Sequence, residues 1–296
     1  MLNLFPTKKG NVVHSDDLKK LISDSPCMVG HISNLNDTSE LPDGRLSVEF
    51  SGGTIESFYV RNESSPYLFV LFSGARDPNK HPLPKFDRWT WAEKFDASIL
   101  CISDPTLKLD QDRLNIGWYL GTEENDYLTH IAVWVSFVSS RLGIPTERVI
   151  SYGSSAGGFA SIMLASRLKK SAAIAINPQL DVFKYYPKFV DQYLALAFPG
   201  KEQKALSEDQ KNRFSAIHAI SKSPEAKFVI AQNVQDRFHY TKHFGSMIKI
   251  LNIPMTNETD KVLKHGNVTT LLFDSPNGHG AEPSNIVPIL VREAKV

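Results

Sequence analysis

The sequence predicts a doubly wound α/β fold on a mostly parallel sheet, with a β-hairpin near the amino end and a helical insertion. Three features carry that expectation. Six short, continuously apolar runs occur along the chain, the pattern strands take when both faces are covered. Segments with helical spacing of apolar residues separate several of them, as right-handed crossovers require. The 296 residues, 42% hydrophobic and 22% charged, suffice to bury a large core.

The elements follow in order. Residues 1–45 carry no readable pattern and are expected to form an amino-terminal extension, with one domain over 46–296. Residues 46–50 and 54–60 alternate apolar and polar side chains around Ser51-Gly52-Gly53, which predicts the hairpin. The six apolar runs lie at 67–72, 98–102, 148–152, 172–176, 228–231 and 268–273. Between them, residues 126–142 place Leu128, Ile131, Trp134, Val135, Val138 and Leu142 on one stripe, and Gly143 and Pro145 supply stop signals. Residues 157–170 and 242–251 are two further crossover helices. The aromatic- and charge-rich interval 181–224 is too long for a plain loop and is expected to be a helical cap or insertion.

Composition excludes several function classes. Lys and Arg number 33 against 32 Asp and Glu, so the formal charge of +1 supplies no bulk field for a nucleic-acid backbone or an anionic membrane. Two cysteines, Cys27 and Cys101, cannot build a disulfide framework or a cysteine-rich zinc site. Lys8 and Lys9 are followed by no apolar run that would mark a secretory signal, and no apolar stretch approaches the ~20 residues that span a bilayer. The expectation is a cytoplasmic protein without a membrane span.

The chemistry-bearing motif follows the 148–152 run. Gly153-Ser154-Ser155-Ala156-Gly157-Gly158 leads into a helix starting near Phe159, which is G-x-S-x-G centred on Ser155. So sharp a strand-to-helix turn strains the serine backbone and needs small residues two positions either side. It lifts the hydroxyl above the carboxyl edge of the sheet and puts the Ala156 N–H at a helix amino end, where an oxyanion would develop. Ser154 lacks the upstream glycine, because Tyr152 occupies that place. A phosphate cradle has no support from a G-x-x-x-x-G-K-[ST] lysine or a G-x-G-x-x-G run.

A serine nucleophile needs a base, and the base an orienting acid, from loops at the carboxyl ends of later strands. Asp236 follows the 228–231 run, and His279 stands in a Gly-His-Gly loop after the 268–273 run. Asp181 and Asp191 are the alternatives for the acid. Asp274 precedes the histidine by too little and reads as a turn residue, while His239, His243 and His265 read as surface or helix histidines. The second oxyanion donor is expected from Phe72-Ser73-Gly74-Ala75-Arg76, as the N–H of Gly74 or Ala75, with Arg76 a candidate for an anionic substrate group. Trp118 and Tyr119 offer apolar ring faces on which a sugar can stack, with core packing as the alternative.

The elbow, acid and histidine, in that order, resemble the α/β-hydrolase superfamily from residue 46 onward. A narrower likeness, in Cys101-Ile102-Ser103-Asp104-Pro105-Thr106, in Leu114-Asn115-Ile116-Gly117-Trp118-Tyr119-Leu120-Gly121, and in 152–159 with Ala175-Ile176-Asn177-Pro178-Gln179, is to hydrolase-like proteins of bacterial capsule and cell-surface polysaccharide loci. The resemblance implies a serine hydrolase acting on a carbohydrate-linked ester through Ser155, His279 and Asp236. It implies no metal or organic cofactor, and as partner a small-molecule or glycan ester. The sequence lacks the H-G-G-G of lipases and esterases before the first crossover. The same residues also suit an O-acyltransferase that modifies a cell-surface polysaccharide, and a non-catalytic binding protein that keeps the fold is a third reading.

Overall fold

A computed structural model describes residues 15–254 and 258–295 of the chain. Among these the strands are β1 (Cys27–His31), β2 (Gly44–Phe50), β3 (Gly53–Val60), β4 (Leu68–Phe72), β5 (Ser98–Ile102), β6 (Val149–Ser154), β7 (Ala172–Ile176), β8 (Lys227–Asn233), β9 (Val262–His265) and β10 (Val268–Phe273). They form one sheet ordered β1-β2-β3-β5-β4-β6-β7-β8-β10-β9. The stretch from β5 to β10 is parallel throughout. The hairpin β2–β3 joins it antiparallel through β5, and β9 closes the far edge antiparallel to β10.

The helices are α1 (Ser15–Ser23), α2 (Tyr127–Arg141), α3 (Ala156–Ala165), α4 (Pro187–Ala197), α5 (Glu208–Asn212), α6 (Ala216–Lys222), the single turn α7 (Arg237–His239), α8 (Gly245–Ile250) and α9 (Val287–Ala294). A π-helical turn, Tyr240–Phe244, links α7 to α8. None of the described helices is long and apolar enough to cross a membrane.

The six apolar runs are parallel strands because helices cover both sheet faces. Along β4, Leu68, Val70 and Phe72 point into one core with α2, α3, α6 and α8, while Phe69 and Leu71 point into a second core with α1 and α9. Helix α2 obeys its stripe: Asp126 caps it by accepting from the Leu128 N–H, and Leu128, Ile131, Trp134, Val135 and Val138 are buried. Each such side chain contributes ~1.5–3 kcal/mol on transfer from water. Two elements escape the periodicity. Strand β1 is a half-exposed edge strand paired in parallel with β2, and β9 is four residues, the last two exposed. Neither buries enough apolar surface to leave a pattern.

The sheet order sets where a site can form. From β4 the chain moves outward to β5, then returns past β4 to β6 and proceeds the other way. The loops after β4 and β6 therefore diverge and leave a crevice at the carboxyl edge, where ligands of open parallel sheets bind.

Candidate active site at the sheet switch point

Ser155 sits in that crevice, between β6 and α3, with φ 58° and ψ −122°. A side chain rarely adopts this backbone, and such strain clusters at functional sites. The surrounding glycines explain how it is tolerated. A Cβ on Gly153 would lie 2.3 Å from the Gly157 carbonyl oxygen, and one on Gly157 would lie 2.6 Å from that of Phe72. Glycine at both positions lets the turn close directly against β4. Ala156 is the first residue of α3, so its N–H belongs to the turn that has no intrahelical acceptor.

Across the sheet edge, Asp236 and His279 meet: His279 Nδ1 lies 2.5 Å from Asp236 Oδ2. His239 Nδ1 takes the other carboxylate oxygen, 3.0 Å from Oδ1. Burial alone would raise the Asp236 carboxyl, but hydrogen bonds from His239 and His279 outweigh it and hold the group well below the ordinary carboxylate range. An ionised carboxylate only accepts, so both Nδ1 atoms carry their hydrogens and both Nε2 atoms are left basic. The two rings stack with centroids 3.9 Å apart and planes at 12°. Ser155 Oγ reaches this group through Gln179, whose Nε2 is 2.8 Å from Oγ and 3.4 Å from His239 Nε2. No hydrogen bond joins Ser155 to His279 among the described residues.

The loops that carry these side chains are stapled in place. Asn233, buried at the end of β8, donates to the Ser275 and Gly278 carbonyls at 2.8 and 2.7 Å and accepts from the Ser275 N–H. This ties the His279 loop to the strand that leads to Asp236. Three residues past His279, Glu282 pairs with Arg88 at 3.0 Å and accepts from the Tyr152 hydroxyl at 2.7 Å. Burial would raise the Glu282 carboxyl, but Arg88 beside it keeps it low. Arg88 also donates to Ser154 Oγ at 3.1 Å, so one network grips both the elbow and the histidine loop.

Several sequence expectations need correction. Trp118 and Tyr119 are both fully buried, so neither presents a ring face to a sugar. Each supports the site from beneath instead. Trp118 Nε1 donates to Gln179 Oε1 at 2.7 Å, and the Tyr119 hydroxyl accepts from the Ser73 N–H at 2.8 Å, propping the loop after β4. Arg76 is buried, and both terminal nitrogens of its guanidinium donate to the His81 and Gln111 carbonyls, so it does not present its charge to a substrate anion. The Gly74 N–H donates to Asp87 Oδ2 at 3.1 Å, which removes it as an oxyanion donor. Ala75, exposed on the same loop, lies beside a glycine whose added Cβ would be 3.9 Å from that of Ser155.

The alternative acids lie elsewhere. Asp181 caps the 3-10 turn Val182–Lys184, and Asp191 is exposed on α4. Asp274 accepts from Gln235 on the surface, and His265 is exposed on β9. His239 and His243, read from sequence as surface or helix histidines, are buried beside the site. The signal for His239 was present: it stands three residues after Asp236, the spacing that brings two side chains to one face of a helical turn.

His243 has a measurable consequence. Its ring is fully enclosed, with neither nitrogen hydrogen-bonded among the described residues. Burial, aided by the neighbouring His239, pushes its pKa down to about 3. An unfolded histidine binds a proton near pH ~6.5, so His243 contributes its full stability above that pH. The contribution falls by about 1.4 kcal/mol per pH unit as pH drops from there toward the folded value. His243→Phe should therefore narrow the loss of melting temperature between pH 7 and pH 5, as thermal denaturation at both will read out.

Asp236, His239 and His279 also each offer one ligand atom, all within 4.8 Å of one another. Both Nδ1 atoms are turned onto the carboxylate, however, so a cation bound through them would have to break both hydrogen bonds. The donor set fits an imidazole–carboxylate pair better than a metal centre.

The sequence matches no protein-family profile and no curated protein. Solved structures do resemble it in fold. The capsule O-acetyltransferase of Neisseria meningitidis serogroup A superposes with a TM-score of 0.57 at 16% identity, over 82% of this chain and 91% of that one. An acetyl xylan esterase from Paenibacillus sp. R4 gives 0.53 at 17% identity, over 82% of this chain and 81% of its own. An S-formylglutathione hydrolase from Agrobacterium tumefaciens gives 0.50 at 14% identity, over 84% and 98%. With its sheet order, its switch-point crevice and these neighbours, the chain is a protein of α/β-hydrolase fold.

Proposed function

We propose that the protein is a serine enzyme that transfers an acyl group from a carbohydrate-linked ester through an acyl-enzyme on Ser155. The observation that carries this reading is a strained Ser155 elbow linked through Gln179 and His239 to an ionised Asp236 that also holds His279 by Nδ1. His279 Nε2 is the base that takes the Ser155 proton as Oγ attacks the ester carbonyl, and it returns that proton to the departing alcohol. The N–H groups of Ala156 and Ala75 hold the oxyanion. Water then attacks the acyl carbon, with His279 again moving the proton. Two neighbours bear the names of enzymes that put acetyl groups on sugars or take them off, which supports a glycan hydroxyl as the group carrying the ester.

Because the same residues serve transfer to a sugar hydroxyl, an O-acyltransferase of cell-surface polysaccharide is the second reading, favoured by the capsule enzyme among the neighbours. The alternatives differ only in whether water or a sugar reaches the acyl-enzyme. The first test is a fluorophosphonate probe, which should label wild-type protein and spare Ser155→Ala. Wild-type protein that never labels would return the chain to the binding-protein reading. Acetyl-CoA or an acyl ester supplied with an oligosaccharide acceptor then separates the enzymes: free acid marks hydrolysis, acylated sugar marks transfer. The cytoplasmic placement stays part of the proposal, with Cys27 and Cys101 as free thiols.

A further inference from the structure

We infer that Gln179 is a catalytic residue, a side-chain N–H donor to the Ser155 oxygen fixed in that role by Trp118. The inference rests on the reading of Ser155 as nucleophile.

The orientation of the amide is decided by chemistry. Trp118 Nε1 carries a hydrogen and only donates, and it lies 2.7 Å from one end of the Gln179 amide. That end must be the oxygen. The NH2 end therefore faces Ser155 Oγ at 2.8 Å, and its second hydrogen faces His239 Nε2 at 3.4 Å. Both residues are fully buried, so no water competes for these groups. The anchor is itself held: Trp118 has φ 52°, and the adjacent Tyr119 N–H donates to the buried Asp104. A run of hydrogen bonds thus connects Trp118, Gln179, His239, Asp236 and His279, with Ser155 joined at Gln179.

The donor acts where Oγ carries charge. In acylation, Oγ loses its proton to His279 Nε2 as it bonds to the carbonyl carbon, whose π pair moves to the carbonyl oxygen. In deacylation, water bonds to that carbon and gives a proton to His279. The C–Oγ bond then breaks, its electron pair returns to Oγ, and the proton passes from His279 back to Oγ. An N–H aimed at Oγ stabilises both charge-bearing moments. It contributes little to the intervening ester, whose Oγ is a weak acceptor. Such differential stabilisation raises kcat rather than tightening KM.

Gln179→Met keeps the length of the side chain and removes the donor. With 4-nitrophenyl acetate as probe, kcat should fall by roughly 10–100-fold with KM within about twofold, a little below the effect of losing one oxyanion-hole donor. Trp118→Phe, which frees the amide to turn, should lower kcat by a smaller factor, and it carries the test should the methionine variant fail to fold. Circular dichroism and melting confirm the fold of each. A folded Gln179→Met protein with wild-type kcat overturns the inference. A folded Trp118→Phe protein with wild-type kcat overturns the anchoring by Trp118, and the whole inference where it is the variant that folds. If wild-type turnover survives Ser155→Ala, the Ser155 reading has failed and Gln179 falls with it; if Ser155 is required and Gln179 is not, Gln179 alone is wrong.

Discussion

Ser155→Ala is expected to lower ester turnover by roughly four to six orders of magnitude while leaving the melting temperature within a few degrees of wild type. The rate falls so far because no other hydroxyl can take the position. Ser154 Oγ is bound by Arg88, and its backbone still belongs to β6. The fold survives because the residue loses one half-buried oxygen and keeps its Cβ. Removing Oγ also frees the Gln179 amide hydrogen that it accepts. The variant thus separates chemistry from architecture: steady-state kinetics on an acetyl ester read the first, a melting curve the second. Retention of activity within tenfold would rule out Ser155 as nucleophile.

Asp236→Asn should cost about four orders of magnitude in kcat, by an effect on both histidines. The carboxylate accepts one Nδ1–H on each oxygen, whereas an amide accepts on one and donates on the other. One imidazole must then turn to its Nε2–H form. If that is His279, its basic nitrogen faces away from Ser155. The substitution also has a stability signature. Because the folded carboxyl is held below its ordinary value, Asp236 contributes stability above pH ~4, and this is lost as pH falls through the lower folded pKa. The wild-type protein should therefore melt above Asp236→Asn at pH 7, and the gap should narrow as pH is lowered from 5 to 3. A gap independent of pH would mean that the ion pair carries none of the difference.

The element types were legible because they rest on local repetition. The runs at 172–176 and 268–273 coincide with β7 and β10, and the stripe of 126–142 became α2 with Asp126 as its cap. The Ser155 elbow was readable for a similar reason, since close approach of Gly153 to Gly157 and of Gly157 to Phe72 leaves room for no side chain. Residue type alone misled where exposure decided the role. Trp118, Tyr119 and Arg76 carry the groups a ligand site uses, yet all three are buried and spend them on the protein itself.

By itself, then, the sequence determined the alternation of strand and helix, the strained serine turn, and the order in which Ser155, Asp236 and His279 appear. Each is a property of a few adjacent residues or of their order along the chain. Only the tertiary structure decided that Asp236 holds two imidazoles, that Gln179 stands against Ser155 Oγ, and that Asn233 and Glu282 anchor the His279 loop. Apart from the local Asp236–His239 pair, those contacts join side chains from separate segments, and their partners are chosen by distance and burial after the sheet has assembled. No spacing along the chain encodes those long-range choices.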